Sequence, residues 1–395
     1  MTLMRAVHFG SLLLLIAGSM LFVAGAFAAN SSGVVLFVGT YTVRGSKGIY
    51  AYNFDASTGR LSSIGLAAET PQPSYVITSQ NGKFLYAANE MQEFQGRKSG
   101  AVSAFAIEPD GKLKFLNQLI SCGADPAYIT LDHTGKYLIA ANYTGGNLSV
   151  FPIGQDGRIG PPSDFVQHHG SSINKERQEG PHPHEAVVSP DNRFVLVPDL
   201  GLDEVFVYPF DSVRGKLGTP HVAKVTAGYG PRHLAFSKDQ RFVYLMTEMG
   251  SKVIVFSYNK REGGLTEIQT ISSLPENFKG ENTAAEIEVH PSGRFLYASN
   301  RGDNNSIAVF SIDTKTGKLK MEQIEPTQGK TPRHFAIDPS GKWLLTENQD
   351  SDTIVNFKID LSTGRLTANG QKVEISSPTC IVFLPSRRSL EEQKW

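Results

Sequence analysis

A seventeen-residue frame that recurs along the whole chain constrains its fold more than any other feature. From Pro332 to Asn348 it reads PRHFAIDPSGKWLLTEN. It holds an alternating segment (Phe335, Ile337), an Asp-Pro-Ser-Gly turn and the apolar run Trp343-Leu344-Leu345. Alternation, a Gly-containing turn and a second apolar run predict two antiparallel strands. The frame returns from Pro73, Pro126, Pro183, Pro231 and Ala284, and successive starts lie 53, 57, 48, 53 and 48 residues apart. After a further 46 residues a truncated copy, PTCIVFLP, begins at Pro378.

A period near fifty residues means one supersecondary unit per repeat. Each hairpin is followed by a third apolar run and a weaker fourth. In the sixth copy these are TIVNFKID (Thr353 to Asp360) and RLTANGQKVEI (Arg365 to Ile375). Four short antiparallel strands per unit make a β-propeller blade; from the inside outward they are strands A to D. The last copy stops after strand A, and its missing partners stand at the other end of the chain. VVLFVGT (Val34 to Thr40) matches B, GIYAYNFDASTG matches C and RLSSIGLAAE matches D. The fold class predicted is all-β: a seven-bladed β-propeller over residues 34–385, closed by one C-terminal and three N-terminal strands, with a tail at 386–395. Closure at that seam leaves no exposed strand edge.

Residues 1–28 stand outside the repeat. Arg5, the apolar stretch Ser11 to Val23 and the A-x-A site Ala26-Phe27-Ala28 form a secretory signal pattern, so the mature chain is expected to be exported, periplasmic or secreted. An uncleaved anchor is the alternative, and the small residues at the end of the segment favour cleavage. The 38 basic and 38 acidic residues cancel, which gives no case for nucleic acid or for a membrane surface after cleavage. Cys122 and Cys380 fall on blades two places apart and are expected to be free. No Cys/His spacing resembles a zinc site, and no Gly-rich segment opens a helix as a phosphate loop would. No metal or cofactor is expected, and the protein is expected to act as a monomer.

The copies differ most informatively where strand A begins and strand B ends, because these points share one end of the ring. The second position reads Ser74, Ala127, His184, Arg232, Ala285, Arg333 and Thr379. The third reads Tyr75, Tyr128, Glu185, His233, Glu286, His334 and Cys380, and the eighteenth reads Tyr41, Glu90, Tyr143, Leu200, Glu248, Arg301 and Gln349. Ionisable groups concentrate on four consecutive copies, an asymmetry that solvated loop ends would not show. A polar cluster at a channel mouth is the default site in a repeat fold. Two long D-to-A connections should cover the same face: Ser163 to His182, which carries Arg177 and His182, and Leu274 to Thr283.

FVGTYT, ERQEGPHPHE, GYGPRHLAFS, LPENFKGENTAAEIEVHPSGRFLYASNRG and TPRHFAIDPSG together resemble the seven-bladed propeller lactonases, whose members include 6-phosphogluconolactonases and the fungal carboxymuconate cyclases. The resemblance covers essentially the whole mature chain. It implies a catalytic set without a metal: His184 from HPHE, Arg232 from GPRH, Glu248 at the end of the next strand and Arg301 from SNRG. The activity implied is metal-independent hydrolysis of a sugar-type lactone. Opening a lactone needs activated water, a stabilised oxyanion and a proton for the leaving alkoxide. Glu248 and His184 are both candidates for the base, and Arg232 and Arg301 suit the oxyanion or a substrate anion. His182, Glu185, His233, Glu286, Arg333, His334 and Arg177 are expected to bind or orient substrate. A non-catalytic propeller that binds a ligand or protein at the channel mouth is the alternative. A calcium-dependent sugar lactonase ranks last, because no set of hard oxygen ligands stands out there.

Overall fold

The structure is a computed structural model and describes residues 33–385, together with Thr2. The expected signal segment (apart from Thr2) and the 386–395 tail lie outside the described residues. Seven antiparallel sheets follow one another around a ring. Blade 1 combines the C-terminal inner strand Pro378–Phe383 with Gly33–Thr40, Gly48–Asp55 and Arg60–Glu69. The pairing of Leu36 with Phe383 and of Val38 with Ile381 closes the ring as the truncated repeat predicts. Blades 2 to 7 then start at Pro73, Pro126, the Pro183 region, Pro231, Asn282 and Pro332. Among the described residues no helix is long and apolar enough to cross a membrane.

The core lies between blades rather than within one. Seven buried apolar clusters fill the seven interfaces. At the seam, Leu36, Val38 and Ile381 of blade 1 pack on Trp343, Leu345 and Ile354 of blade 7. Each blade is buried on both faces, so its middle strands read as near-continuous apolar runs and its outermost strand as a polar alternation. Removing one blade would expose two of these clusters. The ring therefore folds as a unit.

Recurring polar residues fasten the repeat. The seventh position closes the A-to-B turn: Ser79 Oγ, Asp132 Oδ1, Ser189 Oγ, Ser237 Oγ and Asp338 Oδ1 each accept the N–H of the residue five further on, at 2.7–3.0 Å. This is the local turn chemistry expected of Ser and Asp. At the end of strand B, the amides of Asn142, Asn300 and Asn348 donate to carbonyls of the D-to-A connection at 3.0, 2.9 and 3.1 Å.

Three expectations need correction. Asp164–Gln167, inside the expected 163–182 loop, is the outermost strand of blade 3 and pairs with Asn147–Pro152. The inner strand of the Pro183 frame is cut to Val187–Val188, with an isolated bridge between Pro183 and Asp199, while its second strand Phe194–Asp199 forms as expected. Pro181 and Pro183 have no N–H to offer the ladder, and the Asp199 carboxylate takes the N–H groups of His182 and Gly201 at 2.7 and 3.0 Å. The inner strand of blade 6 begins at Asn282, so the last two residues of the expected 274–283 loop are strand.

All seven inner strands carry an irregularity at the second repeat position. Pro231 pairs with Thr247 while His233 pairs with Met246, which leaves Arg232 as the extra residue. The same shift isolates Ser74, Ala127, Arg333 and Thr379, and in blade 6 it falls between Ala284 and Ile287. In blade 4 the pairing runs from Pro183–Asp199 to Val187–Leu196, again with one residue in excess. In a regular strand the second and third side chains would point to opposite faces. The bulge re-aims them, so both positions reach the channel.

Candidate active site

The channel narrows to a cavity lined by second-position Ser74, Ala127, His184, Arg232, Arg333 and Thr379 and third-position Tyr75, His233, Glu286 and His334. Its interior has room for about one water molecule. The hydroxyls of Ser74 and Thr379 and Nη1 of Arg232 are buried and have no protein partner. Such groups are costly to leave unsatisfied, so this cavity offers hydrogen bonds to a small polar species.

Above this cavity, Glu248 is the hub of a cationic cluster. Arg177 Nη2 donates to its Oε1 at 2.7 Å, and Arg232 Nε and Arg301 Nη2 both lie 3.1 Å from its Oε2. Glu248 is only 5% exposed. Burial pushes its carboxyl up, but Arg301, Arg232 and Arg177 outweigh that and hold it down at about 2. Burial together with Arg301 lowers Arg232 to about 10. Nε of Arg301, like Nη1 of Arg232, is a buried donor without an acceptor. Arg333 adds a further guanidinium, 3.4 Å from Glu90 and stacked 5.2 Å from the ring centre of Tyr41.

On the other side of the cavity stands a row of imidazoles. His184 Nδ1 lies 3.2 Å from His233 Nε2, and His233 Nδ1 lies 3.0 Å from Glu286. Burial, then Arg232, His233 and Arg333, drive His184 well below its ordinary range. Burial likewise lowers His233 to about 4, although Glu286 pulls it the other way. Glu286 is held at about 2, because His233 and His334 outweigh the cost of its burial. His334 Nδ1 is 2.8 Å from Glu347 and Nε2 is 3.6 Å from Glu286. Burial opposes a proton on His334, but Cys380, Glu347 and Glu286 around it raise its imidazole well above the ordinary value.

Nine of the eleven candidate residues thus meet around one cavity and its mouth: His184, Arg232, Glu248, Arg301, Arg177, His233, Glu286, Arg333 and His334. The other two have structural work beside it. His182 stacks on Tyr143 with ring centres 4.5 Å apart and is bonded to the Tyr143 carbonyl and to Glu179. Glu185 accepts the Leu234 N–H at 2.6 Å, bridging blades 4 and 5. Glu347 was not foreseen. Its signal is a carboxylate at a position where other copies have Ala88, Ala141, Met246 and Ser299. Both cysteines are free, and among the described residues no three His, Cys, Asp or Glu are grouped as a metal-holding set.

The long connection that follows strand Asp164–Gln167 delivers Arg177, and it is firmly tied. His168 bonds Asp199 at 2.6 Å and Tyr208 at 2.8 Å. Asp203 accepts Ser172 Oγ, Gln178 Nε2 and the N–H groups of Gly228 and Gly230 at 2.6–2.7 Å. One buried carboxylate therefore couples the loop bearing Arg177 to the turn that leads into Arg232.

The family model described as lactonase, 7-bladed beta-propeller, matches residues 35–383. A 6-phosphogluconolactonase of Bacillus subtilis (strain 168) is 36% identical over 350 residues, which is 88% of this chain and 97% of the relative. A 6-phosphogluconolactonase of Formosa agariphila is 34% identical over 353 residues, 88% of this chain and 98% of that one. Among solved structures, the periplasmic gluconolactonase of Pseudomonas aeruginosa aligns with a TM-score of 0.84 at 34% identity, covering 90% of this chain and 99% of its own. The chain belongs to the lactonase family of seven-bladed β-propellers.

Proposed function

We propose that this sugar-lactone hydrolase uses His184 as its general base and Arg232 with Arg301 as its oxyanion site, without a metal. The lactone is too large for the cavity and rests at the mouth, against the Arg177–Glu248–Arg301 side. His184 takes a proton from water, and the resulting hydroxide attacks the ring carbonyl. The tetrahedral oxyanion accepts hydrogen bonds from the guanidinium donors. As the C–O bond of the ring breaks, the protonated imidazole returns its proton to the leaving alkoxide. The product is a hydroxy acid, which ionises to its carboxylate.

The observation that carries this reading is the pair of buried donors without acceptors, Arg232 Nη1 and Arg301 Nε, on guanidinium groups already oriented by Glu248. Fixed donors aimed at developing charge lower a barrier without reorganising. Glu248 is a poor base, since three cations stabilise its ionised form; its part is to hold the guanidinium groups in place. His184 is neutral at working pH and competent to accept a proton. Negative charge on the oxyanion would offset the nearby arginines that depress it, so its basicity rises as the reaction proceeds. The export pattern in residues 1–28 and the periplasmic relative support an exported location, and one ring carries every group required, which suits a monomer.

The test is hydrolysis of 6-phosphogluconolactone and of unphosphorylated sugar lactones by mature protein with EDTA present, after subtracting spontaneous opening. His184→Ala should lose roughly 10²–10⁴-fold in kcat, and Arg232→Ala roughly 10²–10³-fold. Full activity in His184→Ala overturns the assignment of the base.

A further inference from the structure

The imidazole row has an order that the reaction itself does not require. An ionised carboxylate can only accept hydrogen bonds, so at 3.0 Å Glu286 must accept a hydrogen bond from His233 Nδ1–H. A neutral His233 then has only a lone pair on Nε2. That nitrogen lies 3.2 Å from His184 Nδ1, which must therefore carry the hydrogen of this second bond. With its proton committed to Nδ1, a neutral His184 keeps its lone pair on Nε2. Each tautomer follows from the one before, starting from the charge on Glu286.

We propose that Glu286 and His233 are positioning residues that fix the tautomer and ring orientation of His184, leaving its Nε2 as the base that takes the proton of the attacking water. This rests on the assignment of His184 as base and changes the expected part of Glu286 and His233 from substrate contact to control of another residue. Several observations agree with it. Glu286 and His233 are 5% and 2% exposed. Glu286 is locked from further sides, since its Oε1 takes the Ile287 N–H at 3.0 Å, its own N–H donates to Ser299 Oγ at 3.0 Å, and His334 stands 3.6 Å away. The rings of Tyr128 and Tyr143 meet His233 and His184 edge-on at 5.4 and 5.5 Å, walling both imidazoles. A carboxylate that orients a base through a hydrogen bond to imidazole is an established device; here a second imidazole is interposed.

Two measurements test the proposal. In protein labelled with nitrogen-15 at histidine, long-range proton–nitrogen correlations read each tautomer directly. His184 and His233 should both carry their hydrogen on Nδ1, and the Nε2–H form at His184 overturns the proposal. Steady-state kinetics of Glu286→Gln supply the second. An amide can donate as well as accept, so it permits the reversed chain in which His184 holds its hydrogen on Nε2. kcat should fall at least 30-fold with KM within about twofold of wild type, and Glu286→Asp should recover much of kcat. A rise in KM at unchanged kcat would mean direct substrate contact and overturn the positioning role. His184→Ala separates the two layers. If it is inactive while Glu286→Gln is fully active, the positioning role alone fails; if it is active, the base assignment itself is lost.

Discussion

Replacing Glu248 by Gln removes the one negative charge to which Arg177, Arg232 and Arg301 all bond, while preserving the shape of the side chain. The cost can be worked from the carboxyl itself. It is held at about 2 against an ordinary 4.5, which corresponds to about 3 kcal/mol of stability at neutral pH. A similar figure follows from breaking a buried ion pair, about 3–5 kcal/mol. The sign with pH is determined. The folded-state value is depressed, so this stability is complete above pH 4.5 and is lost as pH falls toward 2. Equilibrium unfolding in urea should therefore show Glu248→Gln about 3 kcal/mol less stable than wild type at pH 7, with the gap narrowing to about 2 kcal/mol near pH 3.5. Lactone hydrolysis should fall with it, because Arg232 and Arg301 lose the carboxylate that aims them. A gap below about 1 kcal/mol at pH 7, or one that does not narrow in acid, would refute the view of Glu248 as an ionised hub.

The pH dependence of kcat/KM follows from the imidazole rather than from Glu248. With His184 pushed well below 6.5, the enzymic rate, corrected for spontaneous opening, should be level from about pH 6.5 to 8, with its acid limb below that range; an acid limb centred above pH 7 contradicts the base assignment. Gly201→Ala tests how closely the Arg177 loop is seated. A Cβ there would lie 1.9 Å from the Gly180 carbonyl oxygen, so the loop must move. We expect a loss of about 1–3 kcal/mol with a disproportionate fall in kcat/KM, and a variant that keeps both stability and activity would show that the close approach is not needed.

Much of this protein can be read from local patterns. The repeat spacing, the truncated copy at Pro378 and the three orphan strands after Val34 were enough to count blades and place the seam, because strand period and turn chemistry are written in windows of a few residues. The face carrying the candidate site was also legible, since a repeat fold turns equal positions toward equal places and His184, Arg232, Glu248 and Arg301 break the repeat there. Even Glu347 left a trace, as a carboxylate where other copies hold small or apolar side chains.

Alternation alone, however, sends the second and third positions to opposite faces. The bulge that brings Arg232 and His233, or Arg333 and His334, into one channel depends on inter-strand pairing. Arg177 meets Glu248 across 71 residues of chain, and Arg333 meets Glu90 across 243. Such distances are set by ring closure and by the Asp203 and His168 anchors, and no short window encodes them. The choice between Glu248 and His184 as base was open in the sequence for the same reason. Both residue types can accept a proton. The proposed assignment to His184 rests on burial and on the number of cations within a few ångströms, and only the assembled ring brings three guanidinium groups to the Glu248 carboxylate.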